Sequence, residues 1–402
     1  MGTRSRQEYF LVLRERYRNA PSKSDRSRIL DEAIENTGLH RKSVIRALGQ
    51  PGEALEEPRK LGRKQKYSFE CTEVLKKLYR AAEYACADKL KAMIPVLLKQ
   101  RDLGLSESVG AELLAISPAS IDRYLATYRN LERRRKNSGT RPGSLLFKKL
   151  IPLKSLTLVS PACGYLAADT VAHCGGTMAG EFIWSLTVTD EFSGWTENRA
   201  VFGKNAKNVL PAIESIHRAL PFETISFNVD NGSEFLNGRI YEYFKAIGEL
   251  KTIPFPMTRS RSYHKNDNAH VEQKNWTHVR QLFGYDRFES KDLLPLMNEI
   301  YDRQGLLLNF FVPQFKLKSK VRIQAKIRKT YDAPRTPYER VLADPRVTDS
   351  VKRTLREKYQ TLNYFDLRAQ REELLACFIR LDRELRSLNQ AGPQGSLLTA
   401  SR

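Results

Sequence analysis

The sequence predicts an α/β protein in which a mixed sheet with helices on its faces follows an all-helical N-terminal part. Up to about residue 128, apolar residues recur at the three- and four-residue spacing of helices. From about residue 151, three β-rich segments follow one another, and strands then alternate with helices. Successive strands pair in antiparallel fashion and strands separated by helices pair in parallel, so this order indicates a mixed sheet.

Length and charge bound the possible functions of the chain. Its 402 residues exceed what one hydrophobic core usually serves, so we expect about three or four domains. The formal net charge of +22 predicts a polyanionic partner, with nucleic acid favoured over a membrane surface. No apolar run is long enough to span a membrane, and the N-terminus has no apolar signal core. We therefore expect a cytoplasmic protein with no membrane partner.

The five cysteines are scattered and lack paired Cys-x-x-Cys spacing. This pattern argues for reduced thiols instead of a disulfide framework. His173 and Cys174 are the only adjacent pair of soft ligands, and a structural zinc ion needs four. We predict no zinc site.

Two N-terminal stretches have the outline of a helix-turn-helix. In the first, Gly38 permits the turn, and the second helix presents Arg41 and Arg46 outward. In the second, Ser117 can cap a helix whose outer face carries Arg123. Each could also be an ordinary pair of bundle helices, but two such units in tandem support one another.

The sheet and the C-terminal part are predicted from periodicity. Strands are expected at 164–173, 181–190, 195–203, 224–230 and 251–256, with helices at 205–220 and 237–248 and a helix that carries Glu272. After residue 311, basic and apolar residues alternate roughly by two, which indicates a small β-rich or extended element with a cationic face. Leucines in the last helical region could pair with a partner helix or pack on the chain's own core.

These patterns divide the chain into eight segments. They are a helix-turn-helix unit (1–50), a basic linker (51–68), a second helix-turn-helix unit (69–130), a second basic linker (131–150), the α/β core (151–310), a basic C-terminal DNA-binding element (311–346), a C-terminal helical region (347–390) and a disordered tail (391–402).

Three acids stand in distinctive settings in the α/β core. Asp169 lies in the apolar stretch GYLAADTVAH, Asp230 ends the run TISFNVD, and Glu272 lies in the helix-like stretch NAHVEQKNW. A sheet that places Asp169 beside Asp230 brings together two carboxylates that resist double ionisation unless a cation lies between them. Carboxylate oxygens select Mg²⁺ or Mn²⁺ over zinc. With Glu272 they could hold two ions, an arrangement suited to phosphoryl transfer.

Each of these acids, taken alone, also has an ordinary structural interpretation. Asp169 alone could be a strand-edge acid, and Asp230 before Asn-Gly could be only a turn. Asp190 is interpreted as a turn former, and Glu234 as an acid that does not bind metal. Trp276 is expected to pack in the core.

The three acid motifs in this order resemble the D-D-E transposase and retroviral integrase superfamily. The stretches DTVAHCGGTMAGEFIWSLTVTDEFSGWTE, RSRSYHKNDNAHVEQKNW and YDAPRTPYERV are similar to integrase-type transposases of bacterial insertion sequences, mainly over 150–345. The resemblance implies a ribonuclease H-like fold, with Asp169, Asp230 and Glu272 as ligands of two metal ions. Two departures stand out: 41 residues separate Asp230 from Glu272, where the superfamily commonly has 35, and Val279 occupies a position that is basic in many relatives.

The resemblance implies an enzyme that cuts at the ends of an element and joins the 3′-hydroxyl to target DNA. Double-stranded DNA, in the form of terminal repeats and target, is the expected partner of a homodimer or higher assembly associated with the bacterial nucleoid. Two alternatives are a sequence-specific DNA-binding protein with an idle core and a nuclease that does not join. Candidate DNA contacts are Arg41, Arg46, Arg123, Arg133, Arg134, Arg135, Lys136, Arg259, Arg261, His264, Lys265, Lys274, Arg280, Lys316, Lys318 and Lys320.

Overall fold

The computed structural model describes residues 3–49, 66–129, 151–152, 162–251, 254–260, 269–323 and 326–390. The chain divides into two compact units, Met1–Lys66 and Tyr67–Arg402. The predicted linkers at 51–68 and 131–150 and the tail at 391–402 lie mostly or wholly outside the described residues.

The first unit is helical, as predicted. Ser22 caps its second helix by accepting a hydrogen bond from the Asp25 backbone N–H, and Gly38 ends that helix in the left-handed conformation. Ala33 and Val44 lie on the two helices that flank Gly38. Both are fully buried in the same hydrophobic cluster. The helices are α1 (Thr3–Arg18), α2 (Lys23–Thr37) and α3 (Arg41–Gly49).

The second unit begins with four helices that share one hydrophobic core with the α/β part. Leu90 and Leu113 from these helices belong to the same buried cluster as Trp195, Phe310 and Tyr364. The described helices of the predicted second helix-turn-helix segment therefore pack together with the α/β part. The helices are α4 (Phe69–Ala81), α5 (Ala87–Gln100), α6 (Glu107–Ala115) and α7 (Pro118–Arg129).

A mixed five-stranded sheet lies at the centre of the second unit, in the order β3-β2-β1-β4-β5. Strand β1 pairs antiparallel with β2 and parallel with β4, which confirms the predicted mixed sheet. Every residue of β2 is buried because the strand has neighbours on both sides and packing on both faces. The strands are β1 (Tyr165–Ala172), β2 (Ile183–Asp190), β3 (Thr196–Phe202), β4 (Ser226–Val229) and β5 (Met257–Arg259).

The prediction of a strand at 251–256 was wrong. Helix α9 continues to Lys251, and β5 begins only at Met257. Pro254 and Pro256 lie in the predicted segment, and proline cannot donate to a strand ladder. The helices of this region are α8 (Ala206–Ala219), α9 (Gly238–Lys251), α10, which starts as Ala269–Lys274, continues as a π-helical segment Asn275–Arg280 and ends with Gln281–Phe283, and α11 (Leu294–Phe311).

The C-terminal part consists of a two-stranded hairpin and three helices. Phe378 on the last helix packs on Phe283 and Phe288, so this helix contacts the chain's own core. None of the described helices is both long enough and apolar enough to cross a membrane. The elements are β6 (Leu317–Ile323), β7 (Lys326–Tyr331), α12 (Pro337–Ala343), α13 (Asp349–Thr361) and α14 (Tyr364–Gln390).

Asp190 forms the turn between β2 and β3, the role expected of it. Its carboxylate accepts hydrogen bonds from the backbone N–H groups of Gly164 (2.8 Å) and Ser193 (2.6 Å) and from the Ser193 hydroxyl (2.6 Å). Burial raises the pKa of Asp190 to about 6, although these hydrogen bonds oppose the shift.

The raised pKa of Asp190 makes stability depend on pH. Between pH about 4 and 6 the folded protein holds this proton more tightly than the unfolded chain does, so the contribution is lost as pH rises through that window. An amide does not titrate, and we therefore expect Asp190→Asn to reduce this downward slope. Urea unfolding of wild type and of Asp190→Asn at several pH values in this window gives the slope of the free energy of unfolding against pH. Equal slopes in the two proteins would contradict a raised pKa of Asp190.

Candidate active site

The centre of the sheet brings Asp169 and Asp230 together. Strand β1 pairs in parallel with β4, with Ala168 opposite Val229, so the next residue of each chain segment is an aspartate. Asp169 lies inside β1, whereas Asp230 begins the loop that follows β4. Adjacent parallel strands therefore hold the two carboxylates at the same level of the sheet.

Backbone donors fix the orientation of both carboxylates. The Thr170 N–H donates to Oδ1 of Asp169 at 2.8 Å, and the Gly232 N–H donates to Oδ1 of Asp230 at 2.9 Å. The loop after Asp230 is tied to the end of β5, because the Asn231 side-chain amide donates to the Ser260 carbonyl at 2.9 Å. Both acids are half-buried.

The electrostatics of the site centre on Asp169. Its pKa is raised to about 7, first by burial and next by the charge of Asp230, and Glu272 adds to the shift. Hydrogen bonds from Thr170 and Asn275 act in the opposite direction. The charges of Asp230 and Glu272 therefore both act on Asp169, and this repulsion favours either a proton or a cation at Asp169.

Helix α10 brings Glu272 and Asn275 to the sheet. The Asn275 side-chain amide donates to Oδ2 of Asp169 at 2.6 Å, while its own Oδ1 is buried and lacks a hydrogen-bond partner among the described residues. Glu272 precedes Asn275 by three residues, so both side chains share one face of the helix. The Glu272 side chain itself is exposed.

The described residues do not contain three His, Cys, Asp or Glu side chains grouped closely enough to hold a metal ion. The reason lies in the contacts above: an amide occupies Oδ2 of Asp169, and Glu272 points to solvent. The donor chemistry nevertheless suits a hard divalent cation, since two aspartates lie on adjacent strands at the same level and the Asn275 side-chain oxygen is unused. Metal binding at Asp169, Asp230 and Glu272 remains a prediction.

Glu234 lies on the other face of the sheet. It is 4% exposed, accepts a hydrogen bond from the Thr170 hydroxyl at 2.9 Å, and lies 3.6 Å from the Lys204 ammonium. Successive side chains of a strand point to opposite faces, so Thr170 points away from the side that carries Asp169. A Cβ on Gly232 would lie 2.6 Å from the Glu234 carboxylate, so a larger residue there would have to displace that carboxylate from its contact with Thr170.

The prediction for Trp276 was wrong, because its side chain is 40% exposed. The segment Asn275–Arg280 is π-helical, with more residues per turn than an α-helix. Val279 and Phe283 stay buried, but the wider turn removes Trp276 from their face.

The predicted DNA contacts fall into distinct environments. Lys274 is buried, and its ammonium donates to the Gly194 carbonyl at 3.2 Å and to Gln314. Burial lowers the pKa of Lys274 well below its ordinary value. The Lys316 ammonium donates to the Glu191 carbonyl at 2.6 Å. Both lysines thus hold the protein's own backbone, which does not favour the phosphate contacts expected of them.

Three predicted arginines also have partners within the protein. Arg41 pairs with Asp31, Arg259 donates to the Ile151 carbonyl at 3.0 Å, and Arg280 donates to the Ala172 carbonyl at 3.0 Å. The exposed members of the set are Arg46, Arg123, Lys318 and Lys320. Arg133, Arg134, Arg135, Lys136, Arg261, His264 and Lys265 lie outside the described residues.

Asn275 was not singled out from the sequence. The motif places it three residues after Glu272, and this helical spacing could have indicated a shared face.

We expect Asn275→Leu to raise the pKa of Asp169 above 7, by about one pH unit, because the ionised form loses a hydrogen bond. Carbon-13 NMR titration of labelled aspartate measures this shift.

The matched control for that measurement is Gln281→Leu, at an exposed position of the same helix. It should leave the titration of Asp169 unchanged. An unaltered titration in Asn275→Leu would show that the hydrogen bond does not stabilise the charged carboxylate.

No family model matches the chain. It is 35% identical over 347 residues to the uncharacterized protein y4rM of Sinorhizobium fredii, an alignment that covers 85% of this chain and 95% of the relative. The chain belongs to the y4rM family. Its alignment with this relative spans both the helical N-terminal part and the sheet, since so much of the chain is covered.

One solved structure with limited likeness to this y4rM family member is the catalytic core domain of BIV integrase. It is 14% identical, covers 45% of this chain and 94% of its own length, and has a TM-score of 0.28. A score this low adds no weight to the strand order and side-chain geometry described above.

Proposed function

We propose that this member of the y4rM family is a metal-dependent DNA transposase with a ribonuclease H-like, integrase-type core. The observation that carries the proposal is the pairing of Asp169 with Asp230 at the centre of the sheet, where burial and the charges of Asp230 and Glu272 raise the pKa of Asp169 to about 7. Repelling carboxylates in a chain of net charge +22 fit a site that takes cations and a polyanionic substrate together.

Asp169, Asp230 and Glu272 would hold two Mg²⁺ or Mn²⁺ ions. Such ions, when bound, polarise a phosphodiester and lower the pKa of an attacking oxygen. The residues' own contribution is positioning: Thr170 and Gly232 orient the aspartates through their backbone N–H groups. Asn275 would orient Asp169, and the side chain of Glu272 would turn inward from its exposed position.

The helical pairs at the N-terminus would recognise the ends of the element. Arg46 and Arg123 are exposed on the second helix of each pair, which is where helix-turn-helix proteins contact DNA. Joining one DNA to another requires two ends to meet, so a homodimer or larger assembly on DNA is part of the proposal. A nucleoid-associated location in a bacterial cytoplasm follows from the same reasoning.

Two other functions remain as alternatives. A sequence-specific DNA-binding protein with an idle core would bind DNA without cutting it, and a metal-dependent nuclease would cut without joining. The intact acid triad favours the transposase over the first alternative. The paired helical units favour it mildly over the second.

The test uses a plasmid that carries the genomic DNA on both sides of this gene, incubated with purified protein, Mg²⁺ and a second target plasmid. Sequencing of junctions between the two plasmids detects strand transfer, and gel analysis detects cleavage. We expect wild type to give junctions and Glu272→Gln to give none. Glu249→Gln, which changes an exposed acid on α9, is the matched control and should behave as wild type.

The outcomes separate the alternatives. Cleavage without junctions would indicate a nuclease, and specific binding without cleavage would indicate a DNA-binding protein. Junctions formed equally by Glu272→Gln would remove Glu272 from the site.

A further inference from the structure

The hairpin formed by β6 and β7 is a sheet of its own that projects from the second unit. All described side chains at 317–322 and 327–331 are exposed. Its strands pair only with each other among the described residues. A hairpin alone in water is at best marginally stable, so a ribbon exposed on both faces is suited to a binding partner.

The ribbon is strongly cationic. Residues 316–331 include seven lysines and arginines and no acidic residue. Lys320 lies directly opposite Lys329 in the register, and like charges in this position destabilise a strand pair. The ammonium groups of Lys318, Lys320 and Lys329 have no hydrogen-bond or ion-pair partner in the described part of the chain. A polyanion would relieve this repulsion.

Cations occupy both faces of the ribbon. Lys320 and Lys329 share one face, while the Ser319–Thr330 hydroxyl pair marks the other, where Arg328 lies opposite Val321. A flat partner, such as a membrane, could contact only one face. The major groove of duplex DNA admits a two-stranded ribbon and has phosphates along both walls.

Dimensions agree with such a partner. Seven residues of β6 extend about 23 Å, and the two strands are about 5 Å apart, against a major groove about 12 Å wide. Exposed apolar side chains, among them Val321 (53%) and Ile327 (55%), are available for contact with thymine methyl groups.

The root of the ribbon is fixed to the unit that holds the acids. Asp332 accepts a hydrogen bond from the Lys316 N–H at 2.7 Å and pairs with Arg340 of α12 at 2.7 Å. The Lys316 ammonium reaches the Glu191 carbonyl, beside the turn between β2 and β3. DNA held by the ribbon would therefore keep a fixed register with Asp169.

We propose that the β6–β7 ribbon inserts into the major groove of duplex DNA and holds both groove walls through Lys318, Lys320, Arg328 and Lys329. This assignment rests on the proposed function, because it takes DNA as the substrate of the neighbouring acids. In this proposal Lys316 does not contact DNA, because it fixes the root of the ribbon. The DNA contacts of this region come from the exposed side chains of both strands.

The test is a binding measurement in EDTA, so it needs no metal and no catalysis. Fluorescence anisotropy follows a labelled duplex of about 40 base pairs, of mixed sequence, over a series of NaCl concentrations. The variant combines Lys318→Gln, Lys320→Gln and Lys329→Gln. We expect at least about tenfold weaker binding near 0.1 M NaCl and a salt slope smaller by about 2.7, or 0.9 for each lost phosphate contact.

The matched control combines Lys352→Gln, Arg353→Gln and Arg356→Gln, which remove the same charge from α13. Equal losses in both variants would reduce the effect to net charge and overturn the proposal. Circular dichroism establishes that both variants are folded.

Two further probes address the groove. Duplex DNA with glucosylated hydroxymethylcytosine has a filled major groove, and netropsin fills the minor groove. We expect the first to lower wild-type affinity to that of the ribbon variant and the second to have no effect. Equal binding to glucosylated DNA, competition by netropsin, or ribbon-dependent binding to phosphatidylserine vesicles without DNA binding would each overturn groove insertion. Ribbon-dependent binding by a protein that gives no junctions would refute only the transposase activity.

Discussion

Asp169→Asn is expected to lower the rate of DNA strand cleavage by roughly 10³-fold or more, while it raises thermal stability in metal-free buffer. Activity falls because the site loses a carboxylate fixed by the Thr170 N–H and held beside Asp230. Stability rises because the neutral amide removes repulsion with Asp230 and Glu272 at neutral pH. The unused Asn275 oxygen can accept a hydrogen bond from the new amide.

The stability gain should be about 1 kcal/mol, which corresponds to a few degrees in Tm. Differential scanning calorimetry with EDTA, and again with Mn²⁺, measures it. Mn²⁺ should raise the Tm of wild type and leave that of Asp169→Asn unchanged. Asp286→Asn, at an exposed acid, is the control. If Asp169→Asn had a lower Tm than wild type in EDTA and its Tm still rose with Mn²⁺, Asp169 would have an ordinary structural role.

Phe310→Ala is expected to destabilise the whole second unit by about 3–5 kcal/mol. Phe310 is 2% exposed and packs edge-on against Trp195 at 5.4 Å and beside Tyr338 at 5.2 Å. The same buried cluster includes Leu90 of α5 and Tyr364 of α14. A cavity there loosens the N-terminal helices of the unit, the sheet and the C-terminal helices together.

Urea unfolding gives the free energy change, and hydrogen exchange shows which elements lose protection. Phe69→Ala is the matched control, since Phe69 is 79% exposed and should change stability by less than about 0.5 kcal/mol. Loss of protection confined to α11, with α4 to α7 unaffected, would show that these helices form a separate domain.

Much of the sheet could be predicted from sequence because its signals are local. The strands around Asp169 and Asp230 are apolar runs bounded by turn residues, and a parallel register then places the two acids side by side. The surroundings of the two aspartate side chains could not be predicted from the same local signals. The Asn275 hydrogen bond to Asp169 joins residues 106 positions apart, and no local pattern encodes it.

The errors have physical causes. Trp276 follows α-helical spacing in sequence, but a π-helical segment changes the number of residues per turn. Lys274 is cationic and close to Glu272, which favours a phosphate contact until the fold buries it against Gly194. Lys316 alternates with exposed lysines, yet it anchors the hairpin through a backbone carbonyl.

The central claim is that Asp169, Asp230 and Glu272 together bind divalent cations. The most direct measurement is anomalous diffraction at the manganese edge from crystals of the full chain soaked in MnCl₂. The account predicts Mn²⁺ between the Asp169 and Asp230 carboxylates, with Glu272 turned in to complete the ligands. Crystals with no manganese at this position, and the Asn275 amide still bonded to Asp169, would contradict it.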